Sequence, residues 1–138
     1  MSRTFSIIKP DATKRNLTGS INKKIEESKL KIIAQKRIKL SKDQAQGFYA
    51  VHKEKPFFND LIHFMTSGPS MVLALQKENA IKSWRETIGA TNPEEAKEGT
   101  IRKDFANNVQ ENAVHGSDSD ENAEIEISFH FDNKEIFN

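Results

Sequence analysis

Apolar and polar positions alternate irregularly along the chain, and their spacing predicts most of its elements. Arg3 to Lys9 alternates weakly, and Pro10, which lacks an amide donor, closes the strand. Ile21 and Ile25 fall at helical spacing within Thr18 to Lys29, which reads as an amphipathic helix. Leu30, Ile32, Ala34, Ile38 and Leu40 occupy alternate positions and read as a strand. Ser41 opens S-K-D-Q, a capping-box pattern, so a helix is expected through about Val51. Phe57, Phe58, Leu61, Ile62 and Met65 form a second helical stripe, ended by Gly68 and Pro69. Met71 to Leu75 is a continuous apolar run, short enough for a buried strand. Ile81, Trp84 and Ile88 restore helical spacing over Lys77 to Ile88, with Gly89 placed to close the helix.

From Ala90 to Asn108 no period is clear, and a long irregular loop inside a compact domain is often functional. Ala113 and Val114 form a very short strand before His115, and Asp118 with Glu121 makes a D-x-x-E helix start. The tail supports two readings. Ile125, Ile127, Phe129 and Phe131 lie two apart, as in a strand; Ala123, Ile127 and Phe131 lie four apart, as in a helix. The alternation of elements suggests helices on one face of a small sheet, an α+β or α/β sandwich. No linker or repeat divides residues 1–138, so a single domain is expected.

Composition narrows the function. The 138 residues contain no cysteine, which excludes disulfides and thiolate metal sites. Lys and Arg number 21 against 20 for Asp and Glu, so bulk charge offers no case for nucleic acid or membrane binding. Any anion site must be local. No leader or membrane-spanning run is evident, and a cytoplasmic protein is the expectation.

Four histidines are present, and no H-x-x-x-H pair or cysteine supports a zinc site. His63, in an apolar helix, reads as half-buried. His130, between two Phe residues, reads as a solvent-side position. His115 has Ser117 and Ser119 close by and Glu121, Glu124 and Glu126 a few residues on. A carboxylate that holds one ring nitrogen leaves the other free to attack. Composition leaves that reading level with a structural one. Arg85, Thr91, Arg102 and Lys103 flank or occupy the irregular loop and offer donors suited to phosphate oxygens. A P-loop is absent. Lys9 can project a cation off the sheet edge. Phe58 reads as core, and one of Phe57 and Phe58 as a stacking platform, since both cannot easily face the same side of a helix.

Taken together, "TFSIIKPDA" at Thr4 to Ala12, "GFYAVHKEKPFF" at Gly47 to Phe58, "FMTSGP" at Phe64 to Pro69, "GATNPEEAKEGTIRKDF" at Gly89 to Phe105 and "NAVHGSDS" at Asn112 to Ser119 resemble the nucleoside diphosphate kinase family, in that family's order and spacing. The resemblance implies a ferredoxin-like sandwich with a four-stranded antiparallel sheet, and a helical tail. It implies ping-pong transfer of a γ-phosphoryl group from a nucleoside triphosphate, such as ATP, to a nucleoside diphosphate, which maintains NTP and dNTP pools. His115 matches the nucleophile, Glu126 the carboxylate that orients it, and Ser117 a supporting hydroxyl. Lys9, Tyr49, Phe57, Arg85, Thr91, Arg102, Val109 and Asn112 match nucleotide contacts: Phe57 and Val109 on the base, Lys9 and Asn112 on the ribose, Arg85, Thr91 and Arg102 on phosphates. Mg2+ would ride on the phosphates, with no direct protein ligand. A homo-oligomer, tetramer or hexamer, is implied.

The chain departs from the family pattern at "SFHF", where His130 interrupts an apolar helix end, and at Lys103, where many members carry a smaller residue. Two rivals remain. A non-catalytic scaffold on the same fold would be expected to lose the histidine or its support, and both are present. A nucleic-acid module would want a basic stripe with exposed aromatics, and the net charge of +1 and the single Tyr and Trp argue against it.

Overall fold

The computed structural model describes all 138 residues. Its elements run β1 (Ser2–Ile8), α1 (Pro10–Lys14), α2 (Thr18–Glu27), β2 (Lys31–Ile38), α3 (Lys42–Phe48), α4 (Phe58–Met65), β3 (Ser70–Lys77), α5 (Ala80–Ile88), α6 (Ile101–Phe105), β4 (Val114–Gly116) and α7 (Asp120–His130). The four strands form one antiparallel sheet in the order β2-β3-β1-β4. This is the ferredoxin-like α/β sandwich expected.

Helices cover both faces of the sheet, not one. The continuous apolar run in β3 explains why. Val72 and Ala74 enter one core with Phe5, Ile7, Ile62, Met65 and Ile127; Leu73 and Leu75 enter the other with Ile8, Ile21, Ile25, Trp84 and Ile101. Successive strand side chains point to opposite faces, so a strand apolar at every position needs cover on both.

Local rules hold at several ends. Pro10 occupies the first turn of α1, where its missing N–H costs nothing. The Ser41 capping box forms in full, with Ser41 Oγ accepting from Gln44 N at 3.1 Å and Gln44 Oε1 accepting from Ser41 N at 2.9 Å. Gly89, at φ +91°, ends α5, and a Cβ there would lie 2.6 Å from Thr100 Oγ1. The alternation in β2 breaks at a bulge between Ile32 and Ala34, so Ile33 and Ala34 are both buried.

Other expectations change. The segment read as irregular contains α6, capped by Thr100, whose hydroxyl accepts from Lys103 N at 3.3 Å. The tail is α7: Ala123, Ile127 and Phe131 are buried, whereas Ile125 and Phe129 are exposed. Its cap is Ser119, which accepts from Asn122 N, one residue beyond the expected Asp118. His63 is exposed, because the buried stripe of α4 is Phe58, Ile62 and Met65. His130 is not a solvent-side residue. Its ring stacks on Phe5 at 5.2 Å and 2°, and its Nε2 is buried without a partner. No helix is long and apolar enough to cross a membrane.

Candidate active site

β4 is an edge strand only three residues long, and it pairs Ile7 with His115. Gly116 allows this approach: a Cβ there would sit 2.8 Å from Ile88 Cδ1 and 2.9 Å from Trp84 Cδ1. On the far side α7 buries Ile127 and Ala123, which sets Glu126 on the flank facing His115. His115 Nε2 lies 3.0 Å from Glu126 Oε1. Ser117 Oγ donates to the same oxygen at 2.7 Å, and Phe5 N–H reaches Ser117 Oγ at 3.3 Å. Of the neighbouring groups expected near the imidazole, Ser119 caps α7 and Glu124 pairs with Arg3 instead.

With Nε2–H held by the carboxylate, Nδ1 keeps its lone pair and makes no hydrogen bond within the protein. His115 lines a cleft of about 660 Å³ together with Lys9, Arg85, Thr91 and Arg102. Glu86, Glu95 and Lys97 also line it. A larger hollow, about 900 Å³, adjoins through Arg85 and Glu86, and none of its lining residues is a histidine.

Lys9 Nζ donates to Asn112 Oδ1 at 2.8 Å. Burial first, then the nearby Arg102 charge, lowers the Lys9 ammonium to about 8. Arg102 donates to three backbone carbonyls: Val114 O at 2.9 Å, Gly89 O at 3.2 Å and Asn112 O at 3.4 Å. Burial and Arg85 bring it down to about 10, still well charged at neutral pH. Arg102 therefore ties its own helix to Gly89 and to the Asn112–Val114 segment as well as facing the cleft, which its expected place in an irregular loop did not indicate.

Tyr49, Phe57 and Val109 do not line this cleft. Tyr49 is buried with its ring edge-on to Phe48 at 4.9 Å, and Phe48 in turn meets His115 edge-on at 6.0 Å. Burial and Glu126 push the Tyr49 phenol up. Phe57 is 48 % exposed, whereas Phe58 is core as expected; Val109 is 54 % exposed.

Two residues outside the cleft lie close behind it and carried no signal in the sequence. His52, with its ring 5.5 Å from that of Phe57, has its pKa lowered by burial first, then by the Lys55 and His115 charges, and keeps a buried, unpartnered Nδ1. Asp11 is 6 % exposed and accepts the Ala113 amide at 3.1 Å. Its position in the first turn of a helix is common for an acid and carries no functional signal.

An imidazole nitrogen with a free lone pair, opposed by cations in a small cleft, suits a group that carries negative charge through its transfer. The fold and this site define a phosphotransferase. Comparison with known proteins gives the family: residues 2–136 match the family model of nucleoside diphosphate kinase. The nucleoside diphosphate kinase of Maricaulis maris is 63 % identical over 136 residues, covering 99 % of this chain and 97 % of that one; that of Erythrobacter litoralis is 61 % identical over the same shares. The solved Aquifex aeolicus nucleoside diphosphate kinase superposes with a TM-score of 0.94 at 41 % identity, covering 98 % of each chain. The Halobacterium salinarum enzyme, solved in complex with CDP, also gives 0.94, at 37 % identity over 99 % of this chain and 91 % of that one. The chain belongs to the nucleoside diphosphate kinase family.

Proposed function

We propose that His115 is the phosphoryl carrier of a ping-pong nucleoside diphosphate kinase spanning residues 1–138. One observation carries this reading: an imidazole held at Nε2 by Glu126, 3.0 Å away, with Nδ1 unengaged beside a cationic cleft. In the first half-reaction Nδ1 attacks the γ-phosphorus of a triphosphate such as ATP. The P–N bond forms, the bond to the β-phosphate oxygen breaks, and the diphosphate leaves. The Nε2 proton stays on the ring, where Glu126 accepts its hydrogen bond and stabilises the positive charge, while Ser117 holds the carboxylate. In the second half-reaction a β-phosphate oxygen of another diphosphate attacks the same phosphorus and restores the imidazole. Placement and charge compensation supply most of the catalysis in such transfers.

Arg85, Thr91 and Arg102 hold the phosphates in this reading, and Lys9 with Asn112 holds the ribose. Tyr49 backs the site, and Phe57 with Val109 clasps the base. Apolar clamps discriminate only weakly, by roughly 10- to 200-fold, so purine and pyrimidine nucleotides are both substrates. Mg2+ would ride on the nucleotide's phosphates and supply charge neutralisation there. The tetrameric or hexameric assembly and the cytoplasmic setting belong to the same proposal.

The test is incubation with a γ-labelled triphosphate and no acceptor. The expected label sits on His115, is lost in acid and survives alkali, and is absent from His115→Ala. It then transfers to ADP, CDP or UDP on addition. An acid-stable label, or one that persists in His115→Ala, overturns the proposal.

A further inference from the structure

We infer that Asp11 is a positioning residue for phosphoryl transfer: its carboxylate holds Ala113 in a strained γ-turn that sets His115, an inference that rests on the reading of His115 above. Ala113 is fully buried at φ +74°, a conformation that L side chains rarely adopt. Asn112 O accepts from Val114 N at 2.9 Å, an i to i+2 bond that makes Ala113 the centre of the rare, positive-φ γ-turn. Such strain persists only where the surroundings over-determine it.

Here a single short segment does so. Lys9 N donates to Ala113 O at 2.8 Å, and Asp11 Oδ2 accepts from Ala113 N at 3.1 Å. Both peptide groups of the strained residue are thus held by the residues that flank Pro10. Pro10 begins α1, which turns Asp11 inward under the loop. Arg15, one turn on, keeps a guanidinium nitrogen 3.7 Å from Asp11 Oδ2, bonds the Asp11 carbonyl through Nε at 3.1 Å, and donates to Phe105 O at the end of α6.

The γ-turn connects to the chemistry on both sides. Asn112 presents Oδ1 to Lys9 and its carbonyl to Arg102; Val114 presents its carbonyl to Arg102; His115 follows directly. Relaxation of Ala113 to negative φ would rotate these groups together. A displacement of about 1 Å suffices to cost about 10²-fold in rate. Asp11 touches none of the reacting atoms; it acts through the backbone.

The inference makes a distinctive demand on the partner residue. Glycine enters positive φ without a steric cost. Ala113→Gly should therefore make the Asp11 bond dispensable, which a general role of Asp11 in packing or charge would not.

The experiment measures single-turnover phosphorylation of His115 at saturating triphosphate, followed by acid-labile label and by fluorescence of the single tryptophan, Trp84, which packs against Gly116. Asp11→Ala should slow phosphorylation by roughly 10- to 100-fold. Asp11→Asn keeps an acceptor of the same shape and should stay within about threefold of the parent. Asp11→Ala/Ala113→Gly should recover at least about tenfold over Asp11→Ala. Parent rates in Asp11→Ala, or no recovery in the double variant, overturn the inference. So does a tenfold loss in Asp11→Asn, which would assign the effect to charge; this variant decides the matter should Asp11→Ala fail to fold. A parent protein that takes up no acid-labile label sinks the function reading itself, whereas normal labelling in parent and Asp11→Ala alike sinks only this inference.

Discussion

His115 and His130 share an aromatic wall and have opposite surroundings. Phe5 lies 6.2 Å from the ring of His115 and 5.2 Å from that of His130; Phe48 lies 6.0 and 5.1 Å away. His115 has a carboxylate on one nitrogen and an open cleft at the other. His130 is stacked flat on Phe5, edge-on to Phe129, with a buried Nε2 that has no partner. Burial, followed by the Lys36 charge, pushes His130 down to about 4, with Glu126 pulling the other way. An imidazole can alternate between neutral and charged forms only where something compensates the charge. A carboxylate and an opening, more than the residue type, distinguish the two imidazoles.

The contrast can be broken in order of effect. His115→Ala is expected to lower transfer by roughly 10⁴-fold or more, as removal of a nucleophile does elsewhere, measured as steady-state kcat/KM for ADP. Residual transfer above about a tenth of the parent's would remove His115 from its role.

Arg102→Ala is expected to lose about 10² to 10³ in rate, the cost of one electrostatic donor to a transferring group. Its stability should fall as well, by about 1 to 3 kcal/mol, because three carbonyls lose their donor. Urea unfolding alongside kinetics checks both; an unchanged midpoint would mean that water replaces the guanidinium without cost.

Glu126→Gln tests the carboxylate itself. The amide can still accept from Nε2–H but carries no charge to balance the phosphorylated ring. A fall in kcat of about 10- to 100-fold is expected, in the lower range of acid–base and electrostatic contributions. Unaltered kcat would leave Glu126 with orientation alone.

His130→Phe should give the smallest effect. The folded protein keeps this ring neutral down to about 4, against an ordinary value of 6.5. Between those values the unfolded chain binds a proton that the folded chain does not. Stability is therefore complete above about 6.5 and declines as pH falls towards 4. The phenyl ring has no such dependence, so His130→Phe should melt a few degrees higher than the parent at pH 5, with a smaller difference at pH 8. Transfer at pH 8 should match the parent within about twofold. Parallel melting curves of the two proteins across that pH range would show that His130 is solvated.

Much of the architecture was legible along the chain, because short-range rules set it. The Ser41 box needs only residues 41 to 44, and Gly89 ends α5 by its own backbone freedom. The tail was ambiguous for a physical reason. Residues two and four apart were both apolar, and only the sheet beneath decided that Ala123, Ile127 and Phe131 face inward while Ile125 and Phe129 do not. His130 was misread for the same cause: its partner Phe5 is 125 positions away in sequence, on β1.

By its pattern and motifs the sequence determined the elements, the resemblance to one enzyme family, and His115 as a candidate nucleophile. Only the tertiary structure decided what surrounds each polar group. Glu126 comes to His115 from 11 positions away, Lys9 to Asn112 from 103, and Asp11 to Ala113 from 102. Helical and strand periodicities report which face of an element is apolar, since that depends on neighbours a turn apart. They carry no information on which elements meet. That depends on burying two apolar sheet faces at once, and it is what brought the carboxylate, the cations and the strained turn around one imidazole.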